Sequence, residues 1–240
     1  MNKISSFVSH TLLALALLAT PNVHAQSTSS SNDQKNKTNI TIGFDSYRWD
    51  VFRGLSVPHG AVLMPWANVS KDRWNILGMA THYTKRNSNV SLLELGSAFL
   101  AIDYNIPMKK KLSASIGYEI WTYPTFGIKR SQAVRASISH ENRFNTRLDT
   151  LYDFDAGRGL NAEFSSKYDI AKYLRLRGAL GYNNSYFTNR NGLGYAEGGV
   201  SFPLSFKGLN VEPKISYING FSTDFQHGLN FGVSISKQIK

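Results

Sequence analysis

Between Tyr173 and Tyr182 the chain reads YLRLRGALGY. Leu174, Leu176, Leu180 and Tyr182 share one parity, and Arg175, Arg177, Ala179 and Gly181 share the other. A helix scatters such residues around its circumference, whereas a strand sends successive side chains to opposite faces, so a period of two predicts a strand with one apolar face and one polar face. The same alternation recurs in Leu112 to Tyr123, where Leu112, Ala114, Ile116, Tyr118 and Ile120 oppose Ser113, Ser115, Gly117 and Glu119. In Leu229 to Ile239, Leu229, Phe231, Val233 and Ile235 oppose Asn230, Gly232, Ser234 and Ser236. Alternation alone fits either a protein core or a lipid bilayer on the apolar side.

Beyond residue 38 no helical periodicity is sustained, and short runs of this kind are separated by turn signals. Twelve strands are predicted, with ten as the other count that the boundaries allow. They run Asn39 to Phe52, Ala61 to Val69, Trp74 to Tyr83, Leu93 to Tyr104, Leu112 to Tyr123 and Gln132 to His140. The second half continues with Asn145 to Phe154, Leu160 to Tyr168, Tyr173 to Tyr182, Tyr195 to Leu204, Leu209 to Tyr217 and Leu229 to Ile239. Two prolines, Pro65 and Pro213, fall inside these strands, where a missing N–H needs an edge or a bulge. In Ser91 to Tyr104, Glu94 shares a parity with Leu100 and Ile102 unless a bulge shifts the register between them.

The connections decide between core and bilayer. Ser70 to Arg73, Glu141 to Phe144, Asp169 to Lys172 and Ser205 to Gly208 are short, whereas Arg53 to Gly60, Thr84 to Ser91, Pro124 to Ser131, Asn183 to Gly194 and Ile218 to Gly228 are long. Asp155 to Gly159 and Asn105 to Lys111 break this rhythm in opposite senses. Short periplasmic turns facing long outer loops are the habit of outer-membrane barrels. Trp74, Tyr83, Tyr104, Tyr123, Tyr168, Tyr173, Tyr182, Tyr195 and Tyr217 lie at or beside predicted strand ends, where an interfacial girdle places amphipathic rings. The expected fold class is all-β: a transmembrane antiparallel up-and-down β-barrel over residues 39–240.

The N-terminus agrees with export. Lys3 precedes the apolar run TLLALALLA (Thr11 to Ala19), which is followed by Val23-His24-Ala25. This is the charged, apolar and small-residue order of a signal peptide, expected to cover residues 1–25. Residues 26–38, QSTSSSNDQKNKT, have nothing apolar to bury and read as a flexible polar lead-in. The chain has no cysteine, which excludes a disulfide scaffold. Its formal net charge is +11. An exported chain meets no nucleic acid, so the expected partners are outer-membrane lipid and a small polar or anionic solute, met by a monomer in the cell outer membrane.

With the polar parity turned inward, the residues expected to line a channel are Arg135, Arg147, Lys167, Arg175, Arg177 and Lys214, facing Asp45, Glu119, Asp149, Asp153, Glu163, Glu197 and Glu212. The surplus positive charge then sits in turns and loops, for example Lys109, Lys110, Lys111, Lys129, Arg130 and Arg190. If the two signs occupy separate walls they set up a transverse field, with Arg147, Arg175 and Arg177 as the cationic wall. If they pair, they form a plug or brace the wall. Catalysis is not expected. His140 has the opposite parity to Ser137 and Ser139, His227 has no serine beside it, and no zinc, phosphate or calcium motif is present. No cofactor is expected.

The segments FRGLS (Phe52 to Ser56), YEIWTYP (Tyr118 to Pro124), LGY (Leu180 to Tyr182) and GGVSFPL (Gly198 to Leu204) give the chain a resemblance to the TorF-like family of putative outer-membrane porins. The resemblance implies a porin-like barrel of a Gram-negative bacterium with no catalytic residues. The chain departs from that family in being basic, and it ends Ile239-Lys240 where such barrels often end on an aromatic. The expected function is passive diffusion of small polar solutes. A closed structural or adhesive barrel, a twelve-stranded channel for acidic oligosaccharides and a soluble exported ligand-binding β-protein are the alternatives.

Overall fold

The computed structural model describes residues 38–47, 51–52, 55–56, 61–84, 93–108, 111–123, 128–188, 191–222, 224–225 and 227–239. The expected signal peptide, and the lead-in as far as residue 37, lie outside the described residues.

The chain is all-β among the described residues. Its strands are β1 (Asn39–Tyr47), β2 (Val51–Phe52), β3 (Leu55–Ser56), β4 (Val62–Lys71) and β5 (Trp74–Thr84). They continue with β6 (Leu93–Pro107), β7 (Leu112–Tyr123), β8 (Ile128–His140), β9 (Thr146–Asp153) and β10 (Gly159–Ala171). The last are β11 (Leu174–Asn184), β12 (Asn191–Ser201), β13 (Leu204–Phe206), β14 (Leu209–Gly220) and β15 (Gly228–Ile239). From β4 to β12 each strand pairs antiparallel with the next, β12 pairs with β14, β14 with β15, β15 with β1, and β1 with β4. Closure of the sheet on itself yields a twelve-stranded barrel. The short β13 carries on from β12 after a break at Phe202-Pro203 and pairs only with β14. The hairpin β2–β3 stands apart in the loop after β1, so the predicted first strand, Asn39 to Phe52, is divided.

Ile40 is opposite Ile239, so both ends of the barrel sequence meet at one rim. Strands β4, β6, β8, β10 and β12 end at that rim, and β1, β5, β7, β9, β11 and β14 end at the other. The misplaced length of Asn105 to Lys111 is resolved because β6 runs on to Pro107. The strands β7 and β8, expected to be joined by the long Pro124 to Ser131, are separated by fewer residues because β8 begins at Ile128; β9 and β10 are joined by the short 154–158, as the sequence indicates.

The parity of the sequence becomes the two faces of the wall. Ile102, Ile116, Val134, Ile138, Leu148, Phe164, Leu176, Ile215 and Phe231 are exposed on the outside, while the residues alternating with them, among them Asp103, Glu119, Ser137, Lys214 and Asn230, are buried. A water-soluble surface does not carry so continuous an apolar belt. Bulges adjust this alternation. Thr81 pairs with Ser97 and His82 with Leu95, which leaves Gly96 as the extra residue. It stands between Glu94 and Leu100 in the chain and accounts for the parity conflict of that segment. A second bulge at Gly194 takes Tyr195 out of phase with Leu193. Tyr195 therefore turns inward and is buried, a correction to its expected place in the aromatic girdle. Trp74, Tyr173, Tyr182 and Tyr217 are exposed outside. The side chains of Tyr83 and Tyr123 lie outside the described residues.

Neither proline needs a bulge. The β4–β5 ladder skips Met64 and Pro65, while the β1–β4 ladder runs unbroken past them. In a strand the N–H and C=O of one residue point the same way, so Pro65 removes its donor toward β5 alone. The Pro213 carbonyl accepts from the Phe202 N–H at 2.9 Å, so its absent donor faces the place where β12 gives way to β13.

Candidate functional site

The interior divides into three sectors. The first is acidic. Arg135 on β8 forms an ion pair with Asp103 on β6 at 3.1 Å and donates to Glu119 on β7 at 3.4 Å. Asp103 and Glu119 are almost fully buried, so these bonds are what lets two carboxylates stand there. Arg147 on β9 makes a bidentate pair with Asp149 at 2.6 Å on both arms, and it is close enough to Asp103 and Glu163 for their charges to act on it. Glu163 accepts the Tyr195 hydroxyl. Four carboxylates here face two guanidinium groups.

The second sector is basic and spans β10, β11 and β14. Arg175 donates to Asp169 at 2.5 Å and lies 3.6 Å from Glu212 on β14. It reaches β14 over the intervening Ser201 of β12, a small residue that pairs with Arg175 on one side and Lys214 on the other. Lys167 is opposite Arg177 in the ladder and lies within electrostatic range of Arg177, Glu212, Lys214 and Arg175. Lys214 donates to the Tyr47 hydroxyl at 3.3 Å and acts on buried Asp45. Arg177 makes no ion pair among the described residues. Lys167, Arg175, Arg177 and Lys214 thus gather against Asp169, Glu212 and, through Lys214, Asp45.

The third sector is apolar. Leu77, Met79, Phe99, Ala101 and Trp121 form a buried cluster on the inner side of β5, β6 and β7, with Met64 and Trp66 of β4 packed on it. Phe99 and Trp121 stand with ring centroids 4.3 Å apart. Phe187, from the connection between β11 and β12, packs on this cluster although its own strands lie nearly half-way around the barrel. Its neighbour Tyr186 is buried against Ala133 and Leu151. This strap is held by named bonds. Asn183 bonds both the N–H and the C=O of Tyr186, at 2.8 and 2.9 Å, and the Phe187 N–H donates to Gly157 at 3.1 Å. Ser185 and Phe187 both adopt left-handed backbone, with φ of 61° and 51°, so the inward turn is costly for a bulky residue. Phe225, from the connection before β15, packs inward on Tyr195 and Ile218.

Several aromatic rings lie against the wall because the facing residue is glycine. A Cβ on Gly43 would collide with Trp66, on Gly181 with Tyr195, and on Gly232 with Tyr47.

Of the residues expected inside, Asp45, Glu119, Asp153 and Lys214 are buried, and Arg135, Arg147, Asp149, Glu163, Lys167, Arg175, Arg177, Glu197 and Glu212 are half-buried. The barrel brings together all of them except Asp153 and Glu197. Asp153 accepts the Ser131 hydroxyl and the Asp155 N–H, tying down the 154–158 connection. Glu197, on β12, makes no ion pair among the described residues. Asp103 and Asp169 belong to the clusters and were not foreseen. Asp103 was hidden by the parity break, and reading each side of the Gly96 bulge separately would have exposed it. Asp169 falls in the predicted turn Asp169 to Lys172, but β10 runs on to Ala171 and carries it on the wall.

The serines near His140 find other partners: Ser137 bonds Ser115 at 2.8 Å, Ser139 bonds Ser113 at 2.6 Å, and His140 bonds Asn142 at 3.1 Å. Among the described residues no three His, Cys, Asp or Glu side chains are grouped so as to hold a metal ion.

No protein-family model and no curated protein sequence matches the chain. Solved structures do match in shape. The KdgM porin in complex with disordered oligogalacturonate is similar at a TM-score of 0.58 and 8% identity, over 83% of this chain and 99% of that one. The NanC porin is similar at 0.53 and 11%, over 85% of this chain and 100% of that one. At such identities the likeness is one of fold, and the fold this chain shares with them is the closed antiparallel β-barrel.

Proposed function

We propose that this chain is a monomeric outer-membrane channel through which small polar solutes diffuse passively, with the thirteen predicted interior charges, Asp103 and Asp169 lining its path. The observation that carries the reading is the pairing of a belt of exposed apolar side chains with an interior in which carboxylates outnumber the guanidinium groups around Arg135 and Arg147 and cations predominate around Lys167, Arg175, Arg177 and Lys214. Lipid is the surrounding that an apolar belt of this height requires. A transverse field in a narrow polar passage favours hydrated, dipolar solutes over apolar ones. The resemblance to TorF-like porins belongs to the same reading.

A second reading is favoured by the basic sector. Lys167, Arg175, Arg177 and Lys214 could hold the carboxylates of an acidic oligosaccharide, and the KdgM neighbour is recorded with one such ligand. Planar-bilayer recordings separate these readings. Discrete single-channel currents are expected from the folded barrel, and a silent barrel would favour a closed structural role. Current block by oligogalacturonate but not by a neutral oligosaccharide of equal length would favour the second reading. Recovery of the chain in the soluble periplasm, without heat-dependent gel mobility, would overturn both.

A further inference from the structure

The turns at the rim where both barrel ends meet repeat one arrangement on their outer side. Arg73 donates to the Tyr104 hydroxyl at 3.0 Å, and Tyr104 stands edge-on to Trp74 at 5.1 Å. Arg143 bonds the Tyr168 hydroxyl and lies 5.0 Å over that ring, with Phe144 5.4 Å beyond it. Lys172 sits 5.1 Å over Tyr173, and Lys207 sits 5.3 Å over Phe206. In the sequence between β6 and β7 three lysines follow one another, Lys109-Lys110-Lys111. Acidic residues in these turns are few: Asp72 and Glu141.

The rings are not sheltered. Trp74, Phe144 and Tyr173 are each more than half exposed, and Phe206 is 70% exposed. Each therefore continues the apolar belt down to the rim; Lys172 and Lys207 lie over the faces of Tyr173 and Phe206, while Arg73 and Arg143 hold the tyrosines that pack on Trp74 and Phe144. A ring with its body in hydrocarbon and a cation held beside it fits the boundary between acyl chains and a negatively charged head group.

We infer that this rim is a binding surface for anionic phospholipid, in which Arg73, Arg143, Lys172 and Lys207 hold the head-group phosphates and the adjoining aromatic rings take the upper acyl chains. The inference rests on the membrane reading given above and adds a lipid class to it. An anionic cell-wall polymer would satisfy the cations, but it would leave Trp74, Tyr173 and Phe206 facing water. Lipid satisfies both halves of each pair.

The test uses the full barrel purified in neutral detergent, with retained lipid counted by native mass spectrometry after titration with phosphatidylglycerol or with phosphatidylcholine of the same chains. Several phosphatidylglycerol molecules are expected to bind in preference to phosphatidylcholine. Each of R73Q, R143Q, K172Q and K207Q is expected to weaken that binding about fivefold, the effect of one surface cation beside an anionic head group. R130Q and R158Q, at the opposite rim, are expected to leave it unchanged. Equal retention of the two lipids overturns the inference. So does an equal loss in the opposite-rim variants, which would make the effect one of net charge, and so does rim-dependent binding to purified cell-wall fragments without lipid preference. Any of these results leaves the conductance experiment untouched, so failure of the rim and failure of the channel are distinguishable.

Discussion

Arg135 and Arg177 carry the same charge on inward faces of the same wall, yet their surroundings give them opposite liabilities. Arg135 is the shared partner of two almost fully buried carboxylates, Asp103 and Glu119. Arg135→Met is expected to destabilise the barrel by about 3–5 kcal/mol, because it strands both acids in a buried site; the shift of the urea midpoint, followed by tryptophan fluorescence, measures it. Arg177 has no ion-pair partner among the described residues, so Arg177→Gln is expected to change stability by less than about 0.5 kcal/mol. The same measurement on the second variant checks that contrast. Glycines divide in the same way. Gly181 lies under the Tyr195 ring, which its hydroxyl bond to Glu163 holds in place, whereas nothing stands within 4 Å of a Cβ on Gly198. Gly181→Ala is expected to cost about 1–3 kcal/mol by overpacking. Gly198→Ala is expected to be neutral or to gain up to about 1 kcal/mol from a stiffer unfolded chain.

Among the elements, the strap from Asn183 to Thr188 bears on the proposed passage. It places Phe187 on the apolar sector of the opposite wall, at the end where the long connections gather. Phe187→Ala is expected to raise single-channel conductance while leaving heat-dependent gel mobility unchanged; equal conductance in parent and variant would remove the strap from the path. The sequence disclosed the strands better than it disclosed this feature. Leu112 to Tyr123 and the alternation around Arg175 were readable because strand parity is a local property, enforced residue by residue by lipid on one side. The strap was not, because its anchoring depends on Gly157 from one connection meeting Phe187 from another, and no periodicity records such a meeting. Asp103 lies between these cases. Its parity is local, but one extra residue at Gly96 inverts the count on which parity depends.

For the whole molecule, charge segregation has a measurable consequence. Removing two cations from the basic sector leaves the acidic sector intact, so the Arg175→Ala, Arg177→Ala double variant is expected to shift the reversal potential in a salt gradient toward cation selectivity. An unchanged potential would mean that these arginines brace the wall and do not meet the solute. The pairing of β1 with β15 carries a different consequence, one of time. Ile40 and Ile239 are partners across nearly the whole chain, so the contact that shuts the cylinder is also the one with the greatest loop to close, and such contacts form slowly. Until it forms, the sheet has two long bare edges and a greasy outer face, which is the state most prone to stick to its own kind. The same pairing that gives the finished wall no edges therefore makes the unfinished one dependent on an escort between synthesis and membrane.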